Sequence, residues 1–199
     1  MAAAAAASGQ DTAPRMKIER LAIPDVLLIT PAIHRDERGF FSEVWKDKTL
    51  RDAGVGLDFV QDNHVLSRDL GTLRGLHFQL PPMAQDKLVR CTRGSILDVA
   101  VDIRRSSPTF GTYVSAVISA ENWQQIFVPK GFAHGYVTLE PDTEVMYKVT
   151  AYYSPQHDKG IAWNDPDVGV DWGIGADRAI LSAKDKLQPR LTAADRLFD

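Results

Sequence analysis

His77 is the residue of this sequence whose chemistry is best suited to moving a proton. It lies in the stretch 73–79, Leu-Arg-Gly-Leu-His-Phe-Gln, which otherwise has the pattern of a β-strand. The unperturbed pKa of histidine is about 6.5, which suits a general base near neutral pH. Arg74 and Lys87 are nearby cations that could stabilise an anion, and Gly75 permits a close backbone approach. The stretch therefore predicts a base that removes a proton from a carbon acid, against the simpler alternative of a solvated strand end.

Tyr147 is the second candidate for proton transfer. It lies in the segment 144–153, whose alternation with a period of two puts Tyr147 and Tyr153 on one face of a predicted strand. A phenol can act as a general acid, and a second aromatic ring on the same face could stack on a flat ring. The alternative is that both tyrosines only pack in the core or at its rim.

The elements that must position these residues are short strands. About ten of them are separated by Gly, Pro, Asn and Asp, and little of the chain has a helical period. Phe40–Trp45 is one predicted strand, and 96–103 is another, with Asp98 and Asp102 on the face opposite Leu97. Asp47–Ala53 is the best candidate for a helix, and the polar tail after residue 182 has room for a short one. The pattern predicts an all-β fold, an antiparallel sandwich or barrel.

Strand geometry raises one conflict within the key stretch. Strict alternation puts Arg74 and His77 on opposite faces of a regular strand. Either Gly75 marks a bulge, or Arg74 reaches the site from the strand end or from a partner subunit. The sequence alone leaves these alternatives open.

His134 ends the segment Pro-Lys-Gly-Phe-Ala-His at 129–134, which has the spacing P-x-G-x-x-H. This spacing resembles the second sequence motif of cupin barrels, whose histidine binds a metal together with an H-x-H pair and a glutamate from the first motif. Here Phe78 and Gln79 follow His77, so that ligand set cannot be assembled. One cysteine and five dispersed histidines also argue against structural zinc. We expect a cupin-like barrel that works without a metal.

Composition bounds the partners and the location. The chain has 199 residues and a net charge of −3, which argues against nucleic acid or an anionic membrane surface as the main partner. No apolar run is long enough to span a bilayer. The single Cys91 cannot form an internal disulfide, which fits a cytoplasmic location, and its apolar surroundings predict an inert thiol. We expect residues 1–16 to be a disordered, alanine-rich extension and residues 17–199 to form one domain.

Many short motifs, taken in order, resemble a single family. They run from about residue 17 to about residue 187. The matching segments are 36–41, 59–64, 73–79, 87–91, 98–104, 108–111, 129–134, 147–148, 152–155, 163–165 and 181–185. Each motif alone is weak, but their number and order identify the chain as similar to the dTDP-4-dehydrorhamnose 3,5-epimerase family.

The resemblance implies a fold, a reaction and site residues. The fold would be a cupin-like antiparallel β-barrel (jelly roll) with a few short helices, working as a homodimer without metal or cofactor. The substrate would be dTDP-4-dehydro-6-deoxy-D-glucose, inverted at C3 and C5 in dTDP-L-rhamnose biosynthesis. By motif position, His77 resembles the catalytic base, Asp185 the carboxylate that orients it and Tyr147 the acid on the opposite face. The positions that resemble substrate contacts are Arg38, Phe41, Glu43, Gln61, Asn63, Arg74, Lys87, His134, Tyr153, Asp158 and Lys184.

Three of these contacts carry more specific expectations. Lys87 would lie near the C4 oxygen, where it could stabilise an enolate. Tyr153 matches the residue that stacks on thymine. Asp158 stands where the family has a glutamate, so its shorter side chain makes this contact less secure.

Several alternatives share parts of the pattern. The same fold serves epimerases that act at one carbon only and 3,4-ketoisomerases of related dTDP-sugars. A non-catalytic cupin that only binds sugar nucleotides would need neither Tyr147 nor Asp185. A metal-dependent cupin oxygenase is disfavoured by the missing H-x-H pair.

Overall fold

The computed structural model describes residues 15–199, and most of the predicted extension, residues 1–16, lies outside the described residues. Within the described range the chain forms fourteen strands, one α-helix and three 3-10 helices. The strands are β1 (Lys17–Arg20), β2 (Leu27–Thr30), β3 (His34–Asp36), β4 (Gly39–Phe41), β5 (Gln61–Ser67), β6 (Thr72–Gln79), β7 (Lys87–Arg93), β8 (Ser95–Asp102), β9 (Tyr113–Ser119), β10 (Gln125–Val128), β11 (Phe132–Thr138), β12 (Thr143–Val149), β13 (Asp158–Gly160) and β14 (Ile180–Leu181). The helix α1 spans Asp47–Asp52, and the 3-10 helices span Ala176–Arg178, Asp185–Leu187 and Leu191–Ala193.

Two antiparallel sheets make up most of the fold. The first has the strand order β1-β2-β10-β7-β12-β5, and the second has the order β13-β6-β11-β8-β9. The short β14 joins β6 in parallel, and β3 pairs with β4 as a separate hairpin. The predicted all-β, cupin-like jelly roll is confirmed. None of the helices within residues 15–199 has the length and hydropathy that crossing a bilayer requires.

The two sheets face each other across a shared apolar core. Val89 and Val145 from the first sheet pack there with Ile96 and Ala100 from the second, and all four are almost fully buried. The predicted alternation of 96–103 is confirmed, because Val99 packs on the other face of its sheet. Burial of each Val or Ile side chain stabilises the folded state by roughly 1.5–3 kcal/mol, so this layer holds the two sheets together.

The outer face of each sheet is covered by chain from one end of the described range. Against the second sheet, Leu73 and Val99 pack with Trp172 and Leu191 of the C-terminal segment. Against the first sheet, residues of β2 pack with Leu50 of α1, and Met16 is partly buried beside them. Both outer layers leave the space between the sheets open to side chains of the inner faces.

Two predicted strands are shorter in the structure than the alternation suggests. β4 ends at Phe41 rather than at residue 45, because the chain leaves the hairpin and crosses the first sheet. There Gln125 Nε2 donates a hydrogen bond to the Val44 carbonyl oxygen at 2.6 Å. β12 ends at Val149, so Tyr153 lies in the following loop. The predicted helix is confirmed, beginning at Asp47.

A bulge in β6 resolves the conflict between Arg74 and His77. Against β11, His77 pairs with His134 and Arg74 pairs with Tyr136, so three steps along β6 oppose two steps along β11. Gly75 lies within this interval with φ at +122°, a conformation that favours glycine. The extra residue turns Arg74 to the same face as His77, which is the bulge alternative.

We expect Gly75→Ala to destabilise the fold more than Gly39→Ala does. Both glycines have positive φ, +122° and +135°, but a Cβ at Gly75 would lie 2.6 Å from Gly135 Cα, whereas nothing lies within 4 Å at Gly39. The backbone strain is therefore similar, and overpacking adds roughly 1–3 kcal/mol at Gly75 alone. Urea unfolding of both variants measures the difference. Equal losses would mean that β6 and β11 are not held this closely at the bulge.

Candidate functional site

The second sheet turns a row of polar side chains toward the first. His77 of β6 is opposite His134 of β11. Tyr136 of β11 is opposite Arg74 of β6 on one side and Asp98 of β8 on the other. Residues directly opposite in an antiparallel pair project to the same face, so these five side chains share one face. Tyr136 packs in the core between the sheets, which identifies that face as the inner one.

The first sheet also turns polar side chains toward the space between the sheets. Tyr147 of β12 is opposite Asn63 and Val89, and two residues along, Val149 is opposite Gln61 and Lys87. All of these side chains therefore lie on the inner face with Val89. Lys87 Nζ reaches the His77 carbonyl oxygen at 3.5 Å, which joins the two sheets. A histidine on one sheet thus faces a tyrosine on the other.

His77 is held by a buried carboxylate from the C-terminal segment. Its Nε2 lies 2.5 Å from Asp185 Oδ1, and Ser182 Oγ donates a hydrogen bond to Asp185 Oδ2 at 2.8 Å. Burial alone would raise the pKa of Asp185, but the hydrogen bonds from His77 and Ser182 outweigh it and lower that pKa. Because the carboxylate accepts the proton of Nε2, the lone pair of the ring lies on Nδ1, and a charged imidazole would be stabilised.

His134 is held by a second buried carboxylate. Its Nε2 lies 2.9 Å from each oxygen of Asp98, whose side chain is fully buried. Within residues 15–199, no group of three or more His, Cys, Asp or Glu side chains is arranged to bind a metal ion. The role of Asp98 was missed from the sequence, although an aspartate between Ile96 and Ala100 on an apolar strand face was a usable signal.

Lys87 is a cation in poorly hydrated surroundings. Burial lowers its pKa from the ordinary 10.5 to about 8, although the charges of Asp98 and Asp158 act in the opposite direction. Lys87 therefore stays largely protonated at pH 7 and becomes neutral above about pH 8. A cation with few competing waters stabilises a developing negative charge more strongly than one in bulk solvent.

Tyr147 keeps its proton at neutral pH. Burial raises the pKa of this phenol, the charge of Arg74 lowers it and the charge of Asp158 raises it further. The hydroxyl is therefore a proton donor with Arg74 near enough to stabilise the phenolate that remains after donation. Arg74 Nε itself donates to Ser67 Oγ of β5 at 3.2 Å, which fixes the guanidinium across the two sheets.

Asp158 links two other predicted residues, Tyr153 and Lys184. Tyr153 donates its hydroxyl proton to Asp158 Oδ2 at 3.1 Å, and Lys184 forms an ion pair with the same oxygen. The backbone N–H of Tyr153, in the loop after β12, also donates to Gln61 Oε1 at 3.4 Å. The Tyr153 ring is 58% exposed, so a flat ring can reach it.

Three predicted contacts lie apart from this site. Arg38 pairs with Asp36, and Glu43 pairs with Lys46 at 2.8 Å, both on the exposed hairpin and the loop that follows it. Phe41 is 66% exposed. This part of the chain crosses the outer face of the first sheet, whereas His77 and Tyr147 face the inner side. The structure therefore brings together the other predicted residues, but not Arg38, Phe41 and Glu43.

The fold is a cupin-type jelly roll, and a histidine and a phenol that face each other in its interior can exchange protons with opposite faces of a carbon, which is the chemistry of an epimerase, a class of isomerase. Comparison with known proteins makes the assignment specific. The family model described as dTDP-4-dehydrorhamnose 3,5-epimerase matches residues 20–193. The chain belongs to this family.

Individual relatives agree with the family assignment. The dTDP-4-dehydrorhamnose 3,5-epimerase of Sinorhizobium fredii is 52% identical over 88% of this chain and 90% of the relative. Among solved structures, a dTDP-6-deoxy-D-glucose-3,5-epimerase from Legionella pneumophila, in complex with dTDP-4-keto-L-rhamnose, superposes with a TM-score of 0.87 at 42% identity, covering 91% of this chain and 95% of that one. ChmJ, a 3'-monoepimerase from Streptomyces bikiniensis in complex with dTDP-quinovose, reaches 0.81 at 32% identity, covering 89% of each chain.

We expect the Lys87 ammonium to titrate near pH 8 rather than near 10.5. The lysine Cε resonances in a 13C-labelled protein measure this, and a Lys87→Arg variant assigns the signal. Asp98→Asn should lower the pKa of Lys87 further, because it removes a carboxylate charge that favours the cation. Asp62→Asn, which removes an exposed partner of Lys148, is the matched control and should leave Lys87 unchanged. A Lys87 titration near the ordinary lysine value would contradict the burial described here.

Proposed function

We propose that this chain is a dTDP-4-dehydrorhamnose 3,5-epimerase. It inverts C3 and C5 of dTDP-4-dehydro-6-deoxy-D-glucose and yields dTDP-4-dehydro-L-rhamnose in dTDP-L-rhamnose biosynthesis. The observation that carries the proposal is the His77–Asp185 pair on one side of the interior and the protonated Tyr147 on the other. The family to which the chain belongs supports the substrate.

The first step is removal of a proton from a carbon beside the C4 ketone. Nδ1 of His77 takes the proton, and the electron pair of the C–H bond moves into an enolate whose negative charge lies on the C4 oxygen. Hydrogens beside a ketone are only weakly acidic, so this charge must be stabilised as it forms. The Lys87 ammonium supplies that stabilisation, and the Asp185 carboxylate stabilises the imidazolium.

The second step returns a proton to the opposite face of the same carbon. Tyr147 donates its phenolic proton to the enolate carbon, the C4 ketone re-forms and the configuration is inverted. Arg74 stabilises the phenolate that is left. The imidazolium and the phenolate then return to their starting states by exchange with solvent, and the same sequence inverts the second carbon. Solvent hydrogen therefore appears at every inverted position.

The remaining predicted residues bind the nucleotide sugar in this proposal. Arginine suits a diphosphate because its planar fork donates two hydrogen bonds at once, and we assign that role to Arg74. Tyr153 stacks on thymine, which its exposed ring supports. Gln61, Asn63, His134, Asp158 and Lys184 contact the sugar nucleotide, with Asp158 reaching less far than a glutamate would.

We also propose that the protein is a homodimer with no cofactor. Arg38, Phe41 and Glu43 are exposed and lie on the wrong side of the first sheet to reach this chain's own interior, so in a dimer they would contact the partner's substrate. Sedimentation equilibrium should give the mass of two 22.0 kDa chains. A monomer with full activity would remove these three residues from the site.

The same proposal includes the domain organisation and the location. Residues 17–199 form one domain, which the core shared by both sheets supports. The location is cytoplasmic, supported by the single Cys91, whose thiol is buried and whose pKa is raised by that burial to about 11.

Solvent exchange is the experiment that tests the reaction. The protein is incubated with dTDP-4-dehydro-6-deoxy-D-glucose in heavy water, and proton NMR follows C3 and C5. We expect deuterium at both carbons and a product that can be reduced to dTDP-L-rhamnose. Deuterium and inversion at one carbon only would make the protein a mono-epimerase. No incorporation into a bound substrate would refute the proposal and leave a binding protein.

Variants separate the base from the acid in the same assay. Tyr147→Phe should keep substrate binding and some exchange at C5 but lose inversion, because the proton donor of the opposite face is gone. His77→Ala should lose exchange and product together, by roughly 10²–10⁴-fold, as expected for a general base. Tyr152→Phe, which alters an exposed tyrosine, is the matched control and should be fully active. A Tyr147→Phe variant with normal turnover would remove Tyr147 from the mechanism.

A further inference from the structure

The Tyr136 hydroxyl is a buried polar group with no role in the mechanism above. The side chain is only 5% exposed, and its hydroxyl oxygen is the one buried side-chain nitrogen or oxygen within residues 15–199 that has no hydrogen-bond partner. Buried polar groups in folded proteins nearly always have a partner. A buried hydroxyl without one therefore points to a partner that arrives with a ligand or with ordered water.

Tyr136 lies on the inner face of the second sheet, beside the residues assigned to the site. On β11 it is two residues from His134, and the ring centroids of Tyr136 and His134 are 6.5 Å apart. His134 in turn is opposite His77. Across the sheet Tyr136 is opposite Arg74 and Asp98. Tyr147 on the other sheet is close enough to influence its charge.

The neighbouring polar groups do not satisfy this hydroxyl. Ser67 is close enough to influence the phenol, but the pair does not meet the geometry of a hydrogen bond. Both carboxylate oxygens of Asp98 contact His134 Nε2 and make no hydrogen bond with Tyr136. Burial raises the pKa of Tyr136 well above its ordinary value, so the group remains a neutral O–H.

We propose that the Tyr136 hydroxyl is a specificity-determining donor that binds an oxygen substituent of the hexose ring. The hexose is the part of the substrate that must lie between His77 and Tyr147, and Tyr136 is on the same inner face as His77, close enough for Arg74 and Tyr147 to act on its phenol. The inference rests on the proposed function, because it takes a dTDP-hexose as the occupant. It adds a contact that discriminates the hexose from the nucleotide that carries it.

Removing this hydroxyl should have opposite effects on stability and on hexose affinity. In the free protein Tyr136→Phe deletes a group that has no partner, so the melting temperature should stay the same or rise. In the complex it deletes one hydrogen bond to the hexose, so affinity for a dTDP-hexose should fall about 3- to 10-fold. Affinity for dTDP, which lacks the hexose, should not change.

Titration calorimetry with dTDP and with dTDP-L-rhamnose, together with thermal unfolding, measures all three quantities. The matched control is Tyr113→Phe, which removes a hydroxyl that accepts a hydrogen bond from the backbone N–H of Asp171 at 3.2 Å. This control should lower the melting temperature and leave both affinities unchanged. The kcat/KM of Tyr136→Phe for dTDP-4-dehydro-6-deoxy-D-glucose should fall by the same factor as the hexose affinity.

Three outcomes would overturn the inference. If Tyr136→Phe lowers the melting temperature and weakens both ligands equally, the hydroxyl is structural and is satisfied by water. If both affinities match the wild type while the wild type epimerises its substrate, only this inference fails. If the wild type binds neither ligand, the proposed function fails and takes this inference with it.

Discussion

One extra residue in β6 decides which groups meet in the interior of this protein. A regular strand would send Arg74 to the face that packs against the C-terminal segment, where a guanidinium would lie among Leu76, Phe78 and Trp172. The bulge at Gly75 turns it inward beside His77, and the close approach of Gly75 to Gly135 holds the bulge in register. The charge of Arg74 then reaches both tyrosines of the interior, Tyr136 and Tyr147. The electrostatics of the site therefore follow from a backbone irregularity that only glycine accommodates well.

Both buried carboxylates of the interior have specific hydrogen-bond partners. Asp185 accepts from His77 and Ser182, and Asp98 accepts from His134 while favouring the cationic form of Lys87. Breaking a buried pair is costly because the remaining charge has neither water nor a partner. The carboxylates therefore do more than orient imidazoles. Asp98 also supplies negative charge that favours the cationic form of Lys87.

Much of the fold and of the site could be predicted from the sequence, because the predicted features depend on residues that are neighbours in the chain. Alternation in β8 and β12 depends on neighbouring residues, so the faces of Val99 and Tyr147 were predicted correctly. The partners across the sheets were not accessible in this way. Asp98 and Tyr136 are brought beside His134 and Arg74 by the pairing of β6, β8 and β11. No local sequence pattern shows which strands pair. Arg38 and Glu43 match the family by motif, but a motif does not say on which side of a sheet a hairpin folds.

The carboxylate that orients His77 comes from a different part of the chain than the histidine itself. Asp185 follows β14, which adds to β6 as the last strand of the sequence, and it lies 108 residues after His77. Asp185 is therefore synthesised after the strands that carry Lys87 and Tyr147. The contact that holds the His77 ring thus depends on the last part of the chain to be made, after the long strands of both sheets.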